Sequence, residues 1–526
     1  MRAHVSDVRE RVRALFLGEE DEAVAKVTAS VEAFVRAAVV STDVDYEELS
    51  ERFTSLDIPD ALTSSASYFE YLRDDVVAHS INVGSPHFIG HMTSSLPAFV
   101  RPLGRLLTTL NQNLVKIETS KALTPYEREA LAMMHRLVYG EGDAFYARSI
   151  QDPDKTLGIM TSGGTLANVT ALWVARNARL GAAGAFAGVE REGLAAALRH
   201  HGFERAVVIG SSLMHYSLEK AVDLLGLGTN GLVRVPVGPD GRVVTSALRE
   251  AVANAEARRE LVLALVGIAG TTDSGAIDPL PEIADVASAA RAHFHVDAAW
   301  GGPLLFSERH RSRLAGIERA SSVTIDGHKQ LYLPMGIGMV LFEDPEQARA
   351  IEKQAPYIIR AGSPDLGRRA LEGSRPGMAL FLHAALHILG RQGYAHLIDE
   401  GMAKASFMAA QIRERPELEL LVDPQINIVD YRYLPARFRE KAREGALVAD
   451  EQDIISAFNV RLQEKQKQDG LTFVSRTSLA FSPRAQGHAV VALRAVLANP
   501  LTEERHILDV LGRQRTLATE LGGEEL

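Results

Sequence analysis

Asp297, His328 and Lys329 are the residues whose types and settings most invite chemistry. Asp297 closes the apolar run "HFHVDAAWGG" and is trailed by Ala298, Ala299, Trp300 and two glycines. A carboxylate at the end of an apolar strand is costly to bury unless a positive group or hydrogen-bond donors meet it. The small residues beside it leave room for a flat ligand. Further along, "SSVTIDGHK" ends another apolar run and delivers Asp326, His328 and Lys329 at its tip. Lysine is normally kept at the wet surface. A desolvated lysine has a lowered pKa, which frees its amine to act as a nucleophile.

Two other runs end in the same manner. "TSGGTLAN" carries Ser162, Gly163, Gly164 and Thr165 at the opening of a helical stretch. Backbone N–H groups at such a start bind anions, and Ser162 or Thr165 adds a hydroxyl. The run has neither the Gly-Lys-Ser/Thr of a Walker loop nor the spacing of a dinucleotide fingerprint. "GSSLMHYSLEKAVDLLG" places His215 just before another helix. Taken singly, each has an ordinary reading: a glycine turn with an N-cap, a capping histidine, a structural aspartate bonded to backbone N–H groups. Together they form a set of an anion cradle, a flat-ring partner, a buried carboxylate and a nucleophilic amine. Pyridoxal phosphate needs this set. The helix start takes its phosphate, Asp297 keeps its pyridine nitrogen protonated, and Lys329 forms the Schiff base.

These residues can meet only if the chain puts them on one rim. From about residue 155, β-rich runs alternate with helical stretches: "TLGIMTSGG", "ERAVVIGSS", "GLVRVPVG", "ELVLALVGIAGTT", "AHFHVDAAWGG", "SSVTIDGHK" and "IGMVLFED". Strands separated by helices predict an α/β domain with a mostly parallel seven-stranded sheet covered on both faces. Ligand sites in such sheets lie at the carboxyl ends of the strands. We divide the chain into a helical N-terminal segment (1–120), a large domain (121–380) and a small α+β domain (381–526). In the last, helical "GMALFLHAALHILGRQGYAHLIDEGMAKASFMAAQIRE" leads to strands in "INIVDYRYLP" and "LTFVSRTSLAFS", then a final helix.

Composition narrows the class. The 526 residues are 46% hydrophobic and 24% charged, with a formal net charge of -10 and no dense basic block. That argues against nucleic acid as a partner. No apolar run reaches the roughly 18 residues needed to span a bilayer. The start, "MRAHVSDVRERVRALF", lacks the apolar core of a signal peptide. There is no cysteine, which rules out disulfides, thiolate metal sites and cysteine nucleophiles. We expect a cytoplasmic enzyme without a membrane partner or a metal.

"HVDAAWGG" followed by "DGHK", with "TSGGTLAN" upstream, resembles the group II pyridoxal-phosphate-dependent amino-acid decarboxylases, from about residue 80 to near the end. "HFIGHMTSSLP", "NQNLVKIETSKALTPYERE" and "LEGSRPGMA" are more similar to the bacterial branch described as pyridoxal-dependent aspartate 1-decarboxylase. The resemblance implies a fold-type-I large domain and a homodimer with the active site at the interface. It implies that Lys329 carries the cofactor, Asp297 pairs with the pyridine nitrogen, Ala299 underlies the ring and His215 stacks on its other face. Gly163, Gly164 and Thr165, with Ser162 nearby, would bind the phosphate, and His328 would support the cofactor beside the lysine. Ser374 would offer a phosphate contact across the dimer interface. For an acidic substrate, Arg494 matches the position of a carboxylate-binding arginine, Arg476 is a second candidate, and His91 falls where relatives contact the substrate side chain.

Two departures stand out. Asp326 occupies a place where many relatives carry asparagine or serine near the phosphate, so it should point away or pair with a base. The loop "QAPYIIRAGSPDLGRRALEG" looks shorter than in relatives that carry a proton-donating tyrosine, and Tyr357 lies before its tip, which leaves Lys329 or His215 as donor. The implied reaction is α-decarboxylation of L-aspartate to β-alanine. Glutamate and cysteine sulfinate remain rival substrates, carbon–sulfur cleavage a rival reaction, and a non-catalytic cofactor-binding regulator a rival of another class.

Overall fold

The computed structural model describes Glu10, Val12 and residues 22–37, 39–355 and 362–525. Seven strands form one sheet: β1 (Gly158–Thr161), β2 (Ala206–Ser211), β3 (Leu232–Val235), β4 (Leu261–Ile268), β5 (His293–Asp297), β6 (Ser322–Asp326) and β7 (Gly338–Phe342). Each falls in one of the seven runs read from the sequence. Their order is β1-β7-β6-β5-β4-β2-β3. β7 runs antiparallel to both β1 and β6, and every other pairing is parallel. Six strands therefore point the same way, and the chemistry-bearing segments after β1, β2, β4, β5 and β6 share one rim.

β2 shows why these runs become buried strands. Val207 and Ile209 join the core made with Leu248, Val252 and Ile283 from the helices Thr245–Ala257 and Leu280–Ala290. Ala206 and Val208 pack instead with Val169, Leu172, Leu218 and Val222 from the helices Gly164–Arg179 and Tyr216–Leu224. Successive side chains leave opposite faces of a strand, so a sheet covered on both sides needs apolar residues at every position. All eight residues of β4 are buried.

A second sheet forms the C-terminal domain from β8 (Leu418–Val422), β9 (Ile428–Tyr433), β10 (Ser475–Leu479) and β11 (Val490–Val496), antiparallel in the order β10-β11-β9-β8. The sequence reading recovered β9 and β10 but not β8 or β11. "LELLV" and "VVALRAV" lack a strict alternation, and Leu, Ala and Arg are good helix formers. Pairing on the sheet overrides that preference. The sheets are locked together behind the rim. Trp300 Nε1 donates to Asn427 Oδ1 (3.0 Å), Asn427 Nδ2 to Gln330 Oε1 (3.0 Å), and Gln330 Nε2 to the Trp300 carbonyl (2.8 Å).

The N-terminal segment is helical over Glu22–Arg36, Tyr46–Arg52 and Ser65–Tyr71, and it continues into a π-helical turn, Leu72–Val77. Beyond it, the extended stretch around Ile89 pairs with the C-terminal domain. The Ile89 N–H donates to the Phe473 carbonyl (3.1 Å), and the Val496 N–H donates to the Ile89 carbonyl (2.6 Å). This brings His91 to the junction of the two domains. Among the described residues, no helix is long and apolar enough to cross a membrane.

Candidate functional site

A cavity of about 300 Å³ opens at the rim. Ser162, Gly163, Gly164, Thr165, His215, Asp297, Ala299, His328 and Lys329 all line it. The loop after β1 turns at Gly163, whose φ of +154° suits glycine, and the helix begins at Gly164. The turn is tightly hemmed in. A Cβ on Gly338 of β7 would lie 2.6 Å from the Gly163 backbone, and one on Gly164 would lie 2.8 Å from Asp326 Oδ2.

Asp297 ends β5 and is buried. Its Oδ1 accepts the Ala299 N–H (3.2 Å) and its Oδ2 accepts Asn168 Nδ2 (3.0 Å). Asn168 also donates to Ser217 Oγ (2.9 Å), and its Oδ1 meets His295 Nε2 (3.0 Å). Burial pushes the His295 imidazole down to about 4, against the opposing charge of Asp297, so the ring is neutral at pH 7. His215 caps the helix Tyr216–Leu224, with Nδ1 2.9 Å from Ser217 Oγ. Burial also lowers the His215 pKa, with Asp297 opposing it.

Lys329 follows the tip of β6 with its side chain 19% exposed, and its Nζ lies 3.0 Å from Asp326 Oδ2. Asp326, the residue expected to point away or find a base, has found one. His328 Nε2 stands 3.7 Å from the same oxygen, while its Nδ1 meets the Ile337 carbonyl at 2.9 Å. The segment that follows is fixed by an unusual backbone. Tyr332 has a φ of +57°, and its buried hydroxyl donates to the Ala498 carbonyl (2.7 Å). A non-glycine residue in that region costs about 1–3 kcal/mol and clusters at functional sites.

The expected substrate residues are divided. Arg494 lies on β11, 7% exposed, where Nε donates to the Asp273 carbonyl (3.2 Å) and Nη1 to Ser475 Oγ (3.2 Å). Its Nη2 is buried without a partner among the described residues. Directly opposite on β9, Asp430 is 2% exposed, and its Oδ1 has no partner among the described residues. Burial pushes its carboxyl up to about 8, against the pull of Arg494. His91 is exposed, with Nδ1 3.1 Å from Thr93 Oγ1, and neither it nor Arg494 is among the residues lining the cavity; partial burial, then the charges of Arg494, Lys329 and His328, lower its pKa. Arg476 is a correction. Its neighbour Ser475 faces Arg494, so strand alternation turns Arg476 to the other side, where it pairs with Glu464 (3.0 Å). Ser374 is exposed, accepts a hydrogen bond from Asn113 Nδ2 (2.9 Å) and does not line the cavity of its own chain. Its loop is held by a buried ion pair between Arg375 and Glu127. Tyr357 lies outside the described residues.

Asn168, Ser217 and His295 were not singled out by the sequence reading. Asn168 closes the quoted "TSGGTLAN" and His295 sits two residues before Asp297, so spacing from recognised residues was the available signal.

The donor set fits pyridoxal phosphate. A hydrogen-bonded carboxylate, a cradle where a Cβ on Gly164 would clash, a lysine amine and small Ala299 line one cavity. A model of the family described as "Pyridoxal-dependent decarboxylase conserved domain" matches residues 54–434. An aspartate 1-decarboxylase from Aliivibrio fischeri is 44% identical over 500 residues, covering 94% of this chain and 90% of its own. An L-2,4-diaminobutyrate decarboxylase from Rhizobium meliloti is 31% identical, covering 77% of each chain. Among solved structures, mouse CSAD superposes with a TM-score of 0.82 at 25% identity, covering 97% of this chain and 100% of that one.

Proposed function

The chain belongs to the pyridoxal-dependent decarboxylase family, and on that footing we propose that it converts L-aspartate to β-alanine and carbon dioxide. The observation that carries the choice of an acidic substrate is Arg494. A buried guanidinium with a free N–H and no ion pair within 4 Å among the described residues lacks its anion. A carboxylate retained on the substrate side chain supplies it, and a planar guanidinium suits that partner. The likeness to the Aliivibrio fischeri aspartate 1-decarboxylase supports aspartate within that class.

Pyridoxal phosphate, when bound, supplies an electron-poor ring able to take up the bonding pair released as carbon dioxide departs. Lys329 Nζ is the covalent anchor in this reading, with His328 beside it. Asp297, held by Asn168 and the Ala299 N–H, keeps a proton on the ring nitrogen. Gly163, Gly164, Thr165 and Ser162 receive the phosphate at the helix start. Ser374 reaches the phosphate of the partner subunit in a homodimer. The apolar walls at Ile268, Ala299 and Trp300 limit water, which favours loss of a carboxylate charge. Lys329 and His215 are the two lining groups placed to give a proton to the α-carbon. We place the enzyme in the cytoplasm, in keeping with a chain that has no cysteine.

The test is carbon dioxide release from L-aspartate, L-glutamate and L-cysteine sulfinate by the cofactor-loaded protein. The expected result is the highest kcat/KM with L-aspartate and stoichiometric β-alanine. A preference for either rival would replace the substrate and keep the carboxylate class. Release from none of them by a protein carrying bound cofactor would overturn the reading.

A further inference from the structure

The hydrogen bonds around Asp297 have a direction, and it can be followed outward from one carboxylate. Asp297 Oδ2 accepts, so the group of Asn168 facing it is the NH2. The second hydrogen of that NH2 goes to Ser217 Oγ. The Asn168 carbonyl oxygen then faces His295 Nε2 and must receive a hydrogen from it. A neutral imidazole carries one hydrogen, so His295 Nδ1 accepts from Ser322 Oγ (2.8 Å). Ser322 Oγ in turn receives His293 Nε2 (2.7 Å). Burial holds His293 at about 3 and His295 at about 4, so both rings are neutral at pH 7. Asn168, Ser217, His295 and Ser322 are all buried, and none can exchange its partner for water.

The other arm ends at the cavity. Ser217 Oγ accepts from Asn168 and lies 2.9 Å from His215 Nδ1, to which it gives its own hydrogen where that nitrogen accepts. The Ser217 N–H points to the same nitrogen at 3.3 Å. His215 Nδ1 is thus occupied by two donors, and the single hydrogen of the neutral ring belongs on Nε2.

We propose that Asn168 is a positioning residue that, through Ser217, fixes the hydrogen of His215 on Nε2, so that this imidazole meets the substrate as an N–H donor and not as a base. The same amide holds Asp297, so one side chain sets the protonation geometry of two residues lining the cavity. The chain of bonds lies wholly within the protein and stands apart from the choice of substrate.

The experiment is imidazole 15N NMR of the full-length protein labelled at histidine, with and without cofactor, alongside steady-state kinetics. The expected wild-type result at pH 7.5 is a His215 signal with the hydrogen on Nε2. Ser217→Ala removes the hydroxyl donor and leaves only the 3.3 Å backbone N–H at Nδ1, so the signal becomes a mixture of tautomers that still favours Nε2. Its kcat falls about tenfold or more while KM moves less than about threefold. Ser217→Thr keeps the hydroxyl and restores both readouts. Asn168→Ala gives the same mixture and also loosens the cofactor, because Asp297 loses a donor. A wild-type His215 with its hydrogen on Nδ1, or doubly protonated at pH 7.5, overturns the proposal. So does a Ser217→Ala protein with unchanged tautomer and unchanged kcat. If Ser217→Ala does not fold, the wild-type tautomer and the Asn168→Ala spectrum decide alone.

Discussion

The corners around Asp297 and Arg494 both bury charge, and they treat it in opposite ways. At Asp297 each oxygen has a donor, and the donors are themselves held by further partners as far as Ser322 and His293. At Arg494 the bonding stops short: Nη2 of the arginine and Oδ1 of Asp430 are both buried and, among the described residues, both unpartnered. A satisfied polar network is rigid and sets a geometry before anything binds. An unsatisfied one is costly and gains most when a ligand completes it. On the function proposed above, the first corner would serve a group that stays, the cofactor, and the second one that comes and goes, the substrate.

The sharpest way to break this contrast is at the complete corner. Asp297→Ala removes the carboxylate but leaves the small side chains around it. A folded protein with kcat lower by about 10² to 10³ is expected, the loss typical of a group that stabilises charge in the reacting state. Circular dichroism would establish the fold and carbon dioxide release the rate. A variant within a few-fold of wild type would show that the network around Asp297 serves packing and not chemistry.

The two corners also differ in how far the sequence exposed them. Asp297 ends an apolar strand and Lys329 follows the tip of another, and a charged residue in such a place is conspicuous whatever the fold. Asn168 and Ser217 lie within helices, and His295 within a strand. Their types are unremarkable there, and only the crossing of β2, β5 and the helix Gly164–Arg179 reveals that they meet. Arg494 was placed ahead of Arg476 by the resemblance alone, for a related reason. Which arginine faces inward depends on the register of β10 against β11, and β11 did not read as a strand. The parallel sheet was legible because its strands must be apolar on both faces. The C-terminal sheet was only half legible: β9 and β10 read as strands, while the good helix formers of β8 and β11 blurred the pattern, although β11 is almost wholly buried.

A smaller effect is expected at the incomplete corner. Arg494→Gln keeps donors but removes the charge that awaits a carboxylate. A charge-assisted hydrogen bond is worth about 1.5–3 kcal/mol, so kcat/KM for L-aspartate should fall about 10- to 100-fold, mostly through KM. Equal losses in kcat and KM, or none, would place the substrate carboxylate elsewhere, with His91 the next group to change.

The finest test concerns what Asp430 does while that corner is empty. Its carboxyl is held up at about 8 by burial, well above its ordinary value. The folded state therefore binds a proton that the unfolded chain has already released between about pH 4 and pH 8. Stability from this residue is fully present below the unfolded pKa and is lost as pH rises through the folded one. Asparagine has a similar shape and cannot ionise. Asp430→Asn should leave Tm unchanged at pH 4 and raise it by roughly 2 °C at pH 9, read by thermal denaturation of the cofactor-loaded protein. A Tm difference that does not change with pH would mean that Asp430 is ionised throughout. Arg494 would then already have its counter-ion, and the contrast between a complete corner and a waiting one would fail at its weaker side.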